Sequence, residues 1–383
     1  MTRKAFEIGA VCVALALLAT FAFLLSHADG MVLANGQPVF GDFIAFWSGG
    51  RAALEGHVAD AHTRALIEGY HQQAAPGVAY VAPWNSPPTF LLIASALALL
   101  PYPFAAITFI ATSGALYLYA ARKLLPDARA MIFALTLPAA LYHLGSAQTG
   151  LLVAGVSGLA LTWLDRRPLT AGALVGLLAV KPHLAIFWPI MLAVSGRWRA
   201  FAAASVSSLA FIALAGAVFG FESYVRFFEN LGATQNLVTS QLIATPAYAS
   251  LYASLLQLGA PQSVAIGAHA AFAVVGVGLA LRVFLTKDRV ASGAALCAVT
   301  LIALPYCFFY DFTLLAVGAA VMGAPCTRLE LAAAVAAWSA GLSLVLSYVA
   351  PLPYCALAAW LLLAAASVRA RSAAAQPAPA PQP

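Results

Sequence analysis

Charge is what this sequence has least of: only 8% of its 383 residues are Asp, Glu, Lys or Arg. A soluble domain carries about 25%, and 63% of this chain is hydrophobic. That shortage excludes water as the main solvent and points to a polytopic membrane protein. Cysteine is also sparse. Cys12, Cys297, Cys307, Cys326 and Cys355 lie in or beside apolar runs, without CxxC spacing or histidines at ligand distance. The spacing therefore announces neither a metal site nor a disulfide framework. A P-loop, a GxGxxG turn between strand and helix, and a DxD pair are all missing. Their absence removes the usual sequence signs of a nucleotide-binding site, and no metal or other cofactor is expected. The basic excess, 19 residues against 13 acidic, is scattered singly between apolar runs. It suits membrane topology, and no nucleic-acid partner is expected.

Apolar segments recur at about 7–28, 87–121, 130–144, 148–164, 169–181, 183–195, 201–219, 264–284, 290–308, 311–325, 329–348 and 354–368. A straight span needs about 20 residues, so several must borrow from their flanks. The 87–121 stretch is broken at Leu100-Pro101-Tyr102-Pro103, where prolines interrupt helical hydrogen bonding. The expectation is an all-α, polytopic chain of about twelve transmembrane helices, or thirteen if that stretch makes two spans. With twelve crossings and both termini cytoplasmic, only Arg51, Arg64, Lys181 and Arg226 of the 19 basic residues fall outside. That is the asymmetry of the positive-inside rule. Two long loops, 29–86 and 220–263, then face outward. Residues 1–370 read as one transmembrane domain in a bacterial-type inner (plasma) membrane. The tail 371–383, all Ala, Pro and Gln after Ser372, reads as a disordered cytoplasmic end. Ser26-His27-Ala28 has the look of a signal-peptidase site, but the run before it is long enough to span, and an uncleaved first helix is expected.

Loop 29–86 concentrates ionisable groups: Asp29, Asp42, Arg51, Glu55, His57, Asp60, His62, Arg64, Glu68 and His71. Within it, Phe43, Phe46, Trp47 and Leu54 follow helical spacing. They predict a short interfacial helix with its aromatic side at the lipid–water boundary. A second interfacial helix is expected from about His62 to Gln73, with Leu66, Ile67 and Tyr70 on one side. Asp42 stands just before the first. Either it caps that helix, or it is a general base at the mouth of an intramembrane cavity whose apolar wall raises its pKa.

Several pieces in order carry a family resemblance. They are Gly41-Asp42-Phe43 with Phe46-Trp47 and Gly49-Gly50; Pro87-Pro88-Thr89-Phe90 leading to Leu100-Pro101-Tyr102; Gln148-Thr149-Gly150; Ala171-Gly172 through Gly176; Lys181-Pro182-His183; and Tyr310-Asp311-Phe312. From about 40 to about 320 the chain resembles glycosyltransferase family 87, polytopic GT-C enzymes that include mannosyltransferases using polyprenyl-phosphate-mannose. The resemblance implies transfer of mannose, or another hexose or pentose, from a polyprenyl-phosphate donor on the outer face. The acceptor would be an envelope glycolipid or glycan. Asp42 matches the family's essential acid in the first outer loop. In one departure, Ala147 stands where the family often has Gly before the Gln.

A mechanism fits these residues. An acceptor hydroxyl attacks the anomeric carbon, Asp42 takes its proton, and the lipid phosphate leaves with inversion at the sugar. Lys181 interrupts the apolar run between Leu174 and Met191; it either holds the phosphate or snorkels to the interface. His183 adds a donor or is structural. Asp311, after Tyr310, either pairs with Lys181, binds a sugar hydroxyl or caps the following helix. Gln148 either bonds a sugar or lines a turn with Gly145 and Gly150. Arg51, with His57, Asp60 and His62, contacts the acceptor or forms a solvated helix face. The rival reading is a secondary transporter or flippase of envelope precursors. Transporters tend to show related halves and midplane polar residues, whereas here no repeat is evident and the polar residues gather at helix ends.

Overall fold

The computed structural model describes residues 3–59, 61, 63–125, 127, 130–231 and 250–375. Asp60, His62, Arg129, the 232–249 stretch of the expected second outer loop and the tail from 376 lie outside the described residues. Among the described residues the chain is helical, with two isolated bridges around Val32 and no strand. The principal helices are α1 (Arg3–Ser26), α2 (Phe43–Leu54), α3 (Arg64–Ala74), α4 (Pro88–Ala98), α5 (Tyr102–Leu124), α6 (Gly150–Trp163), α7 (Pro168–Leu177), α8 (Phe187–Val194), α9 (Trp198–Phe219), α10 (Gln262–Leu285), α11 (Arg289–Ala303), α12 (Thr313–Met322), α13 (Arg328–Ser339) and α14 (Tyr354–Ala375).

Length divides them into two kinds. Among the described residues, six helical segments are long and apolar enough to cross a bilayer: Lys4–Ser26, Tyr102–Leu124, Trp198–Phe219, Gln262–Leu285, Arg328–Leu346 and Tyr354–Ser372. By length, then, six of the expected twelve or thirteen spans qualify. Six further apolar helices have only 10–17 residues. At 1.5 Å per residue they reach about 15–26 Å, against a hydrocarbon core of about 30 Å. The prolines at 101 and 103 do divide the 87–121 stretch, into the short α4 and the long α5. The 130–144 stretch forms no single helix. It is broken into Ala130–Leu135, Pro138–Leu141 and His143–Ser146, because Pro138 supplies no amide hydrogen to continue the first turn.

The interfacial reading of α2 is corrected. Phe43, Ile44, Phe46 and Trp47 are all buried, and so are the small residues between them and Gly50. Lipid does not meet this aromatic side. Phe43 stacks on Phe109 at 5.7 Å, and Phe46 meets Phe90 edge-on at 4.7 Å. A Cβ at Gly50 would lie 2.2 Å from the Ala94 carbonyl oxygen, so α2 and α4 touch backbone to backbone. The periodicity was that of an aromatic core, which the same spacing writes as readily as an interface. Helix α3, by contrast, buries one side through Ile67, Tyr70, His71 and Ala74.

The short helices run between two polar ends. Gln148 and Thr149 precede α6 and Asp165 follows it; α7 leaves the Asp165 end and reaches Lys181, and α8 returns to Arg197. Helix α11 starts at Arg289, which pairs with Asp165 at 2.9 Å, and Arg197 pairs with the other carboxylate oxygen. A 14-residue helix such as α6 separates the two ends by about 21 Å. Close packing holds α7 against α9. Cβ atoms at Gly172 and Gly176 would fall 2.2 Å from the Ala200 carbonyl oxygen and 2.5 Å from Ser207 Cβ, the small-residue contact that membrane helices use in place of hydrophobic drive.

Candidate active site

Asp42 sits at the start of α2 with helical dihedrals (φ −64°, ψ −15°), and its side chain does not cap the helix. The carboxylate turns instead toward the Gln148 turn, where Oδ2 accepts a hydrogen bond from Gln148 Nε2 at 3.1 Å. Gln148 is fixed in that orientation because its Oε1 accepts the Thr149 backbone N–H at 3.1 Å. The two segments meet across a tight approach. Gly41 adopts φ +45°, and a Cβ there would stand 3.2 Å from the Gly145 carbonyl oxygen. Phe40, just before it, also has a positive φ of 68°, a conformation uncommon for a bulky residue. Neighbouring contacts over-determine this turn. The Tyr102 hydroxyl donates to the Val39 carbonyl, and the Trp47 indole N–H donates to the Leu100 carbonyl at 2.9 Å.

Lys181 lies at the break between two 3-10 turns, Leu178–Val180 and Pro182–Leu184. Its Nζ is 2.6 Å from Asp311 Oδ1 and 4.9 Å from the centre of the Tyr310 ring. Only 14% of the lysine side chain and 1% of the aspartate side chain are accessible. The snorkelling reading of Lys181 therefore gives way to a buried pair. Asp311 also accepts the Phe308 backbone N–H through Oδ2 at 3.3 Å, so it pairs with the lysine and caps its own turn at once. Gly150 wedges this centre to the Gln148 turn. A Cβ there would collide with the Tyr310 carbonyl oxygen at 2.4 Å, and the Thr313 hydroxyl donates to the Gly150 carbonyl at 3.1 Å. Thr89 ties α4 to the same place by donating to the Ala179 carbonyl at 2.7 Å.

Asp42 remains partly accessible although protein crowds it deeply, as expected of a group facing a narrow depression. That crowding raises its pKa above the ordinary carboxylate range. The Gln148 hydrogen bond and, less strongly, the charge of Lys181 oppose the rise. The aspartate and the lysine thus share one electrostatic neighbourhood. His183 is accessible and lies within electrostatic range of Lys181 and Asp311.

Of the candidates read from sequence, Asp42, Gln148, Lys181, His183, Tyr310 and Asp311 come together from segments more than 260 residues apart. Arg51 does not join them. It lies at the far end of α2, 2.5 Å from Glu55, whose other oxygen accepts the Tyr70 hydroxyl at 2.7 Å. His57 belongs to that second network through Tyr70, at 3.2 Å. Two residues near the site carried no sequence signal. Tyr80, in the plain stretch Val78-Ala79-Tyr80-Val81, is half-buried within range of Asp42. His143 is a structural wedge, donating from Nδ1 to the Ala139 carbonyl at 2.9 Å and accepting the Leu151 N–H on Nε2 at 3.2 Å.

Apolar helices of spanning length around a half-buried carboxylate–amide pair and a buried lysine–aspartate pair define a multi-pass membrane protein with a preorganised polar centre. The family model of glycosyltransferase family 87 matches residues 84–307, more than half of the chain. The chain belongs to that family and is a membrane glycosyltransferase. Gln148, Lys181 and His183 fall inside the matched stretch, while Asp42, Arg51, Tyr310 and Asp311 flank it. No curated protein and no solved structure matches the chain.

Proposed function

We propose that this glycosyltransferase moves mannose, or another hexose or pentose, from a polyprenyl-phosphate donor to an envelope glycolipid or glycan, with Asp42 as the general base. The observation that carries this reading is the orientation of Asp42. Its carboxylate is withdrawn from helix capping, held by Gln148 and set in the field of Lys181. A group placed for stability alone would have capped α2.

In the proposed reaction the acceptor hydroxyl gives its proton to Asp42 while its oxygen bonds the anomeric carbon, and the bond from that carbon to the phosphate oxygen breaks. Single displacement inverts the sugar. The lipid phosphate departs as an anion beside Lys181. Asp311 takes one of the three ammonium N–H groups, which leaves donors for phosphate oxygens as negative charge develops. Tyr310 stacks beneath the cation, and His183 supplies a further polar edge. No metal or cofactor enters this scheme. The partners are the lipid-linked donor, the lipid or glycan acceptor and the surrounding membrane lipids.

The same reading extends to topology. Gly155 of α6 faces Leu116 and Tyr117 of α5, and Gly158 faces Ala120 and Leu124, so the two helices run parallel. The broken 130–146 segment must then return the chain from the Arg122 end to the Gln148 end. With α4 as a half-helix and the other short helices counted, the chain makes twelve passages with both termini cytoplasmic. The basic Arg197–Arg289 end faces the cytoplasm of a bacterial-type inner membrane. Because the two ends are only about 21 Å apart, the site lies in a depression about 10 Å below the outer hydrocarbon boundary of a 30 Å core.

The test is transfer of labelled sugar from a polyprenyl-phosphate donor in membranes. Asp42→Asn is expected to lower transfer at least 100-fold, at the lower end of what general-base catalysis contributes. Transfer within twofold of wild type would remove Asp42 as the base. Movement of the lipid-linked sugar without a covalent product would favour the flippase.

A further inference from the structure

The five cysteines are not equally placed. Cys12 and Cys326 are exposed and Cys297 is buried within α11. Cys307 and Cys355 are both fully buried and face each other, Sγ to Sγ, at 3.6 Å. Cys307 lies in the segment between α11 and the Tyr310-Asp311 turn, and Cys355 is the second residue of α14. The thiol of Cys307 is within electrostatic range of Asp311 and Lys181, so the pair stands at the site end of the molecule.

We propose that Cys307 and Cys355 are joined by a disulfide in the mature enzyme, which fastens the segment carrying Asp311 to the last helix. The compartment rests on the outer-face reading above: thiols exposed there during insertion meet an oxidising environment. The sulfurs need to close from 3.6 Å to about 2.05 Å, a movement within reach of side-chain rotation. The oxidant is the disulfide of an exported thiol–disulfide oxidoreductase. One cysteine thiolate attacks it to give a mixed disulfide, and the second displaces the enzyme sulfur. The two cysteines lose two protons and two electrons, and the oxidoreductase is left as a dithiol. Because both thiols are buried once α14 has docked, the exchange precedes docking. The bond closes a 48-residue separation and restrains the turn that presents Asp311 to Lys181.

The state of the thiols can be read on the unaltered protein. Membranes are quenched in acid, denatured and alkylated with N-ethylmaleimide, and the intact mass is measured. Three adducts are expected without reductant and five after reduction, together with a linked peptide containing Cys307 and Cys355. Reductant is also expected to lower the melting temperature of the wild type and to leave that of Cys355→Ala unchanged. Five adducts without reductant, or linkage through Cys297, would overturn the proposal. Neither measurement involves sugar transfer, so failure of the disulfide leaves the Asp42 assay intact, and the reverse holds too.

Discussion

The two polar ends of the short helices use the same chemistry at different depths. At one end Asp165 holds Arg197 and Arg289 and remains 49% exposed. At the other, Asp311 holds Lys181 and is almost sealed. An exposed ion pair is worth about 0–1 kcal/mol, because water screens it and two long side chains must be ordered. A buried pair is poor as a source of net stability. Removing one partner nevertheless strands a charge, at a cost of about 3–5 kcal/mol. The contrast explains why a lysine can sit inside an apolar run: its aspartate, with the Tyr310 ring, makes the position tolerable. It also separates a pair that fastens the fold from the pair proposed to serve the chemistry.

The sharpest way to break the contrast is to unpair the buried end. Lys181→Met or Asp311→Asn alone is expected to lower the melting temperature in detergent by the largest margin of any polar substitution discussed here, and to abolish transfer. The double variant Lys181→Met with Asp311→Leu removes both charges. It should recover much of the stability and none of the transfer. Recovery of both would show the pair to be a fastening like any other.

A smaller effect distinguishes Asp42 from its support. In the proposed mechanism the base works deprotonated, so the rate is expected to fall on the acid side as pH drops through its pKa. Gln148→Leu deletes a hydrogen bond that lowers that pKa, so the acid limb is expected to move to higher pH, with roughly a tenfold loss at the optimum as the carboxylate loses its orientation. Stability has the opposite dependence. A carboxyl whose pKa is raised on folding contributes stability that is full below its unfolded pKa and lost as pH rises through the folded one. Asp42→Asn should accordingly melt no lower than wild type at neutral pH, while inactive. A limb that stays in place in Gln148→Leu would detach Asp42 from the rate.

Much of this was legible in the residues. The charge shortage announced the membrane, and the motif order announced the family that residues 84–307 match. The motifs themselves proved to be the contacts that assemble the centre. Leu100 and Tyr102 bond the α2 entry, Thr89 reaches the Lys181 turn, and Gly150 seats Tyr310. Ala147 shows why a glycine suits its position, since its φ is +43° in the left-handed region. Span number was less legible, because an apolar run of 13 residues reads the same whether it stops short or borrows a flank. The environment of α2 was misread for a related reason. Helical spacing reports which side is apolar, not whether lipid or other aromatics cover it. The Cys307–Cys355 contact had no sequence signal at all, since it depends on how α14 docks.

The smallest expected effect tests the exposed end. Asp165→Asn leaves both arginines charged, but Arg289 is 34% accessible and keeps a hydrogen bond to the Leu161 carbonyl at 3.2 Å, and the amide oxygen left at position 165 still accepts from Arg197. The loss should stay under about 1 kcal/mol and shrink further in high salt, where exposed charges are screened. Transfer is expected to remain within twofold of wild type. If Asp165→Asn instead destabilised the protein as much as Asp311→Asn does, depth would not be what separates the two ends, and the buried lysine would lose its claim to a special role.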